Sequence, residues 1–296
     1  MAKKKKKTKL PERADPAEAL EGLERPTMNW KVLGQIAVGI GVIWLIAGLV
    51  SPYIGIWGYV VAGVITAIAA GIGIYVWRLM RKSSAIVDIL KGATDEEGRA
   101  AAVAALQGKG GDAMAKMAQA QLVAQDDPKE AVAILESIDL KKAPKLIQND
   151  VRAQLALMYL LQNKPREARE LADEIKLDAQ PQPKQKALYA AVMSESFART
   201  GKVKEAAKIL EDYDPEDGAY AEMRPLLYRA QIFTWLRLKK RGRARTSMMR
   251  LAKADANQLG AFLQKGTHPE VKRLATEVLQ REGIMPKGPK VKMRMR

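Results

Sequence analysis

The sequence predicts an all-α protein, in which an N-terminal two-helix transmembrane hairpin is followed by an α-solenoid of helix pairs. Two observations predict this fold class. From Val32 to Trp77 the chain includes no Asp, Glu, Lys or Arg, and this length suffices for two helices that each cross a hydrocarbon core about 30 Å thick. Beyond Asp112, a helix–turn–helix pattern recurs at a nearly constant interval, as is typical of stacked helical repeats.

The composition is compatible with one sizeable soluble core besides the hairpin, since the 296 residues are 48% apolar and 28% charged. The formal net charge of +17 favours anionic partners, which could be lipid head groups, nucleic acid or acidic proteins. Because the chain contains no cysteine, disulfides, thiolate metal sites and cysteine nucleophiles are excluded.

Residues 1–29 are predicted to form a disordered basic tail, with a short helix over residues 15–23, because they include few apolar side chains. The lysines of this tail have three interpretations: a solvated tail, a contact with anionic lipid, or a nucleic-acid-binding arm. They are Lys3, Lys4, Lys5, Lys6 and Lys7. A cleaved signal peptide is disfavoured, since the apolar run that follows is too long.

The predicted hairpin covers residues 30–78, with membrane spans at about 30–50 and 54–77. Pro52 predicts a turn at Ser51–Tyr53, because proline lacks the N–H that would continue a helix. Tryptophan and tyrosine side chains cluster near the predicted ends of the spans, where amphipathic rings favour the level of the lipid head groups.

Small residues on one face of each span predict close packing between the two helices. In the first span they recur every seven residues, and in the second every four. They are Gly34, Gly41 and Gly48, and then Gly63, Ala67 and Gly71. Homo-oligomerisation through the same faces is the alternative.

Basic residues predict the orientation of the hairpin, because they accumulate on the cytoplasmic side of short loops. Arg78, Arg81 and Lys82 follow the second span directly, whereas the predicted turn has no basic residue. We therefore expect an integral protein of a bacterial inner membrane with both termini in the cytoplasm and with these three side chains near anionic lipid. A buried hairpin of a soluble protein is disfavoured.

Residues 79–111 are predicted to be a helical connector, and residues 112–282 a repeat region that ends in capping helices. Four similar segments carry alanines that align at a nearly constant spacing: Ala131, Ala168, Ala206 and Ala244. In the clearest repeat, residues 187–200 form one predicted helix, Gly201 marks the turn, and residues 203–212 form the second helix.

Each clear repeat has a small residue, an aromatic residue three positions later, a turn residue, and a small residue in the next helix. The two sets are Ala156, Tyr159, Asn163 and Ala168, and then Ser194, Phe197, Gly201 and Ala206. Over residues 112–249 this pattern resembles the tetratricopeptide repeat (TPR) family. HEAT-like repeats, which have a longer period, are the alternative.

The resemblance implies that the first helices of the pairs line a concave groove that binds a protein partner. The groove positions that it implies are Asp150, Ala153, Leu157, Leu188, Ala191, Glu195, Arg229 and Phe233. Homo-oligomerisation is also compatible with such a scaffold.

Positive charge is concentrated in residues 236–253, which include eight basic and no acidic residues, and in a predicted disordered tail at residues 283–296. We expect lipid contact in preference to nucleic-acid binding, because Trp235 is the one aromatic side chain next to this stretch and no nucleic-acid motif is present.

We expect no catalytic, cofactor or metal site. The single histidine, His268, precedes Pro269 at a predicted helix start, where a capping role is usual. The chain contains no P-loop, dinucleotide fingerprint or metal-ligand motif.

The function favoured by these expectations is a membrane-anchored TPR scaffold or adaptor that recruits or assembles protein partners at the cytoplasmic face of a membrane. The alternative is a membrane-tethered basic protein that binds nucleic acid or ribosomes.

Overall fold

The computed structural model describes residues 30–285, except for residues 94, 110, 125, 181, 256 and 265. Within the described residues every regular element is helical and no strand is present, which confirms the predicted all-α class. The chain divides into two compact units at residues 110 and 111, which we call the hairpin unit and the repeat unit. The predicted tails, including residues 15–23 and Lys3 to Lys7, lie outside the described residues.

The hairpin unit contains α1 (Trp30–Ile54), α2 (Trp57–Lys91) and α3 (Glu96–Gln107). Its first two helices are long and apolar enough to cross a membrane, over 20 residues from Gly34 to Tyr53 and 22 residues from Trp57 to Arg78. In both stretches 6% of the sequence window is buried, so these apolar side chains do not form a core within the described structure.

The turn between α1 and α2 lies at Gly55–Ile56, so the predicted turn at Ser51–Tyr53 is wrong. Pro52 occupies the last turn of α1, where the loss of one hydrogen bond near a helix end is tolerated. Reversal of the chain instead uses Gly55, whose φ of 65° is left-handed and costs glycine little. The Gly55 N–H donates to the Ser51 carbonyl at 2.8 Å.

Helix α2 does not end with the apolar stretch. No proline or glycine occurs between the end of that stretch and Gly92, so the helix continues. The predicted boundary at residue 78 therefore falls inside a helix. Ile86 and Leu90 are buried in this extension of α2, and α3 packs against it. The Asp95 carboxylate caps α3 by accepting a 2.7 Å hydrogen bond from the Gly98 N–H.

In the repeat unit, eight helices form four consecutive pairs: α4 (Ala113–Val123) with α5 (Pro128–Glu136), α6 (Lys145–Leu161) with α7 (Pro165–Ala172), α8 (Pro183–Thr200) with α9 (Val203–Glu211), and α10 (Arg224–Arg237) with α11 (Arg241–Ala254). Short 3₁₀ helices cover Leu177–Ala179 and Gly218–Met223. From the second pair onward, each first helix packs against its own partner, the preceding second helix and the preceding first helix.

The spacing of the repeats recurs in the backbone. The second helices begin at Pro128, Pro165, Val203 and Arg241. One turn into each, an alanine N–H donates to the residue before the helix at 3.1 or 3.2 Å. These alanines are the four aligned in the sequence, Ala131, Ala168, Ala206 and Ala244, and each is 0% exposed. A larger side chain at these positions would have to displace its neighbours.

The turns within the last three pairs also repeat at equal intervals along the chain. Asn163, Gly201 and Lys239 all have left-handed φ angles, of 61°, 104° and 60°. After each turn, a lysine ammonium lies 5.6–5.8 Å from the ring centroid of the aromatic residue five positions earlier. The pairs are Lys164 on Tyr159, Lys202 on Phe197 and Lys240 on Trp235.

Two further helices, α12 (Gln258–Ala261) and α13 (Pro269–Arg281), follow the last pair. Helix α13 packs against α11 and α10 and contributes Val271, Ala275, Val278 and Leu279 to the largest hydrophobic cluster. It thereby covers the apolar surface that the last pair would otherwise expose.

Candidate functional site

Five of the eight predicted groove residues do not form an open binding surface. They are buried within the repeat unit: Ala153, Ala191, Glu195, Arg229 and Phe233. Asp150, Leu157 and Leu188 remain partly exposed, and Asp150 accepts a 2.5 Å hydrogen bond from the Tyr189 hydroxyl. These five residues therefore pack inside the repeat unit, and the partner-binding groove stays a prediction.

The segment from residue 258 to residue 271 contributes to the burial of Phe233 and Arg229 on the first helix of the fourth pair. Ala191 instead packs in a cluster formed by the third and fourth pairs themselves. Phe262 is 2% exposed and meets Phe233 edge to face, with ring centroids 5.8 Å apart. At the other end of the segment, the Asn163 side-chain amide donates to the Gly266 carbonyl at 2.8 Å. The segment thus covers part of the first helix of the fourth pair and contacts the α6–α7 turn.

A cavity of about 680 Å³ remains beside this segment. It lies between the α6–α7 turn, the C-terminal end of α8, α10 and the start of α13. Its apolar walls include Leu160, Leu161, Phe233, Leu236 and Phe262, and its charged and polar walls include Asn163, Arg199, Arg229, Arg237, Lys239, Gln264, Thr267, His268 and Glu270.

Two arginines of this cavity share one carboxylate. Arg229 donates to Glu195 through Nε at 2.8 Å and through Nη2 at 3.1 Å, and Arg199 donates to it through Nη1 at 2.9 Å. Burial acts to raise the pKa of the Glu195 carboxyl, but the charges of Arg229 and Arg199 outweigh it and lower that pKa. The three side chains together carry a net charge of +1.

Other groups hold the two guanidinium groups in place. Both donate to the Leu160 carbonyl at the end of α6, Arg199 at 3.1 Å and Arg229 at 3.5 Å. Arg199 also donates to the Asn163 side-chain oxygen and lies 4.8 Å from the centroid of Phe233. Carbonyl oxygens and aromatic faces stabilise a cation without neutralising it, so the excess positive charge remains.

In the hairpin unit, the predicted packing faces are not the contact between α1 and α2. A Cβ atom at Gly34, Gly41, Gly63 or Gly71 would meet nothing within 4 Å, and one at Gly48 would meet only the Tyr59 hydroxyl at 3.9 Å. Ala67 is exposed.

The contact uses neighbouring small residues instead. Gly58, Ala62 and Ala47 are buried, and the Trp44 Nε1 donates to the Thr66 hydroxyl at 3.1 Å. Small residues at a spacing of four do pack the hairpin, but the turn at Gly55–Ile56 selects a different face from the predicted one.

Of the predicted lipid contacts, Arg78 ends the apolar stretch of α2 and Arg81 follows it, and both are exposed. The Arg81 guanidinium carbon lies 5.4 Å from the centroid of the Trp77 ring. Lys82 follows on the same helix.

Many cations of the basic segment at residues 236–253 already have partners. Arg241 pairs with Glu270, Arg245 with Glu277, and Arg250 with Glu216. Lys240 and Arg243 both lie on the Trp235 ring, at 5.6 and 5.4 Å from its centroid. Trp235 is therefore a poor platform on which a nucleotide base could stack.

Sequence reasoning missed the cavity and its charge. Comparison with protein-family models, with curated proteins and with solved structures finds no match for this chain. The described residues include no group of three or more His, Asp or Glu side chains that could hold a metal ion. His268 caps α13, since its Nδ1 accepts from the Glu270 N–H at 3.3 Å.

Proposed function

We propose that this protein is a membrane-anchored scaffold, in which α1 and α2 span a membrane and the TPR-like repeat unit recruits or assembles protein partners at its cytoplasmic face. One observation carries the proposal: two long apolar helices with almost no buried residues occur in the same chain as a separate, compact unit of repeated helix pairs. Lipid would cover the apolar helices. Anchoring would then raise the effective concentration of partners without any new contact.

The proposed orientation rests on the basic residues that follow the apolar stretch of α2. Arg78, Arg81 and Lys82 would lie at the cytoplasmic surface, where each contributes about 1 kcal/mol of attraction to anionic lipid. The turn at Gly55–Ile56 would lie on the opposite side. A bacterial inner membrane is the proposed location.

The partner surface that we propose is the exposed face of α6. Asp150, Leu157 and Leu161 lie on this face at helical spacing, and Leu161 is 44% exposed. Among the described residues of the repeat unit, no other large hydrophobic side chain is as exposed. An exposed apolar side chain beside partly exposed neighbours is a suitable anchor for a protein partner.

Chemical cross-linking in membranes, followed by mass spectrometry, tests this proposal. We expect a protein partner to be captured by the wild type and lost with Leu161→Asp, but retained with Ala133→Asp, which adds the same charge at an exposed position of α5. Equal capture by both variants would remove α6 from the proposal. Nucleic acid that co-purifies and resists moderate salt would favour the alternative, a membrane-tethered nucleic-acid or ribosome binder.

A further inference from the structure

We propose that the cavity beside Arg199 and Arg229 binds a small organic anion, whose carboxylate or phosphate group meets the cations and whose apolar part meets the aromatic wall. Leu161 borders both this cavity and the exposed face of α6, but the cations that define the cavity lie on other helices. The inference therefore does not depend on the scaffold function.

The charge of the cavity is the first argument. Arg199 and Arg229 have side chains that are 10% and 6% exposed, and they share the single carboxylate of Glu195. A buried charge without a counter-charge is costly. Arg237 and Lys239 add two exposed cations to the same lining. Among the described residues of the lining, Glu270 is the one acid, and it is already paired with Arg241 at 2.7 Å. An anion in the cavity would therefore balance the charge.

The shape of the cavity is the second argument. Its volume of about 680 Å³ falls within the range of roughly 300–1,000 Å³ that is typical of small-molecule sites. Phe233 and Phe262 supply an apolar wall next to the guanidinium groups, and the Arg229 guanidinium carbon lies 5.2 Å from the centroid of Phe262. A few polar groups beside an apolar wall fix the orientation of an amphipathic ligand.

A contact between two segments of the cavity wall favours a compact ligand over an extended chain. The hydrogen bond from Asn163 to the Gly266 carbonyl joins two lining residues that are 103 positions apart in the chain. A Cβ at Gly266 would come within 3.1 Å of that Asn163 amide, so the two segments approach closely. A peptide would have to displace this contact, whereas a ligand with one ring would not.

Calorimetric titration of the full-length protein in an uncharged maltoside detergent tests the proposal, with phenyl phosphate as the probe. Phenol serves as the neutral probe and inorganic phosphate as the probe without a ring, and empty micelles provide the blank. We expect phenyl phosphate to bind at least tenfold more tightly than either of them. Equal affinity for phenol would overturn the role of the cations, and equal affinity for inorganic phosphate would overturn the role of the aromatic wall.

A matched pair of variants locates the site. Arg237→Gln with Lys239→Gln removes two exposed cations of the cavity and is expected to weaken phenyl phosphate binding about tenfold. Lys240→Gln with Arg243→Gln removes the same charge a few residues away, outside the lining. This double variant is expected to change the affinity for phenyl phosphate less than twofold. Equal weakening by both double variants would show diffuse attraction to the basic helix and would contradict the site. Neither result bears on membrane insertion or partner capture.

Discussion

Replacement of Glu195 by glutamine is expected to lower the free energy of unfolding of the repeat unit by about 3–5 kcal/mol, because it leaves two buried guanidinium groups without their shared carboxylate. Glu195 is 2% exposed and Arg229 is 5% exposed, so water cannot screen the cations that remain. Three hydrogen bonds of 2.8–3.1 Å reach the carboxylate, and each charge-assisted bond is worth about 1.5–3 kcal/mol. Glutamine retains one acceptor oxygen, so the expected loss is smaller than the summed free energies of the three hydrogen bonds.

Arg229→Met is the informative control for this prediction. It removes a cation and leaves Arg199 and Glu195 as a balanced pair, while the methionine side chain packs against Phe233 and Phe262. The expected loss is about 2 kcal/mol, because two hydrogen bonds to Glu195 and the contacts of the guanidinium with the aromatic rings disappear, whereas the cost of burying one excess cation disappears with them. The two variants thus separate charge balance from the simple loss of contacts.

Urea unfolding of the full-length protein in detergent, followed by circular dichroism, measures both variants, and the slope m should remain unchanged. Hydrogen exchange assigns the loss to α8 and α10. The folded-state pKa of Glu195 is lowered, so its carboxylate contributes its full stabilisation of the folded state at pH 7. This stabilisation is lost as the pH falls below the unfolded-state pKa of about 4.3 and through the lower folded-state pKa. A Glu195→Gln variant no less stable than Arg229→Met would refute the reasoning.

Two further predictions concern backbone and packing. At the repeated turn, Gly201→Ala should destabilise the repeat unit by about 1 kcal/mol, because the φ angle at this position is left-handed. Lys239→Gly should stabilise the repeat unit by up to the same amount. Urea midpoints measure both variants, and changes of the same sign would contradict the shared turn geometry. In the hairpin, Ala62→Leu should cost about 1–3 kcal/mol by overpacking, whereas Ala67→Leu on the exposed face should cost little. Steric-trap unfolding in detergent distinguishes them, and equal losses would contradict the observed helix contact.

The all-α class and the two long apolar helices could be predicted because both depend on local sequence. The uncharged run from Val32 to Trp77 and the regular spacing of the repeats can be read directly along the chain. The aligned alanines illustrate this. Ala168 and Ala206 occupy equivalent places in consecutive second helices, and each is fully buried.

The details of the hairpin could be predicted less well, because its sequence offers several equivalent choices. Glycine and alanine occupy more than one face of α2, so their spacing alone does not select the face that meets α1. Pro52 is a strong helix-breaking signal, yet the left-handed φ of Gly55 determines where the chain reverses.

The burial of Phe233 and Glu195 could not be predicted, because it depends on contacts between residues far apart in sequence. Phe262 and Gly266 lie in a segment without helical periodicity, and they meet Phe233 and Asn163 from earlier pairs. Glu195 has the appearance of an exposed polar position in α8. Its counter-charges come from Arg199, four residues later, and from Arg229 in the next pair.

Labelling of introduced cysteines tests the proposed membrane topology most directly, because the chain has no cysteine of its own. Ile56→Cys reports on the turn of the hairpin, and Lys204→Cys reports on the repeat unit. With a membrane-impermeant maleimide on intact spheroplasts, we expect Ile56→Cys to be labelled and Lys204→Cys to be labelled only after lysis. Labelling of Lys204→Cys in intact spheroplasts, or release of the protein from membranes by alkaline carbonate, would contradict a membrane-anchored scaffold at the cytoplasmic face.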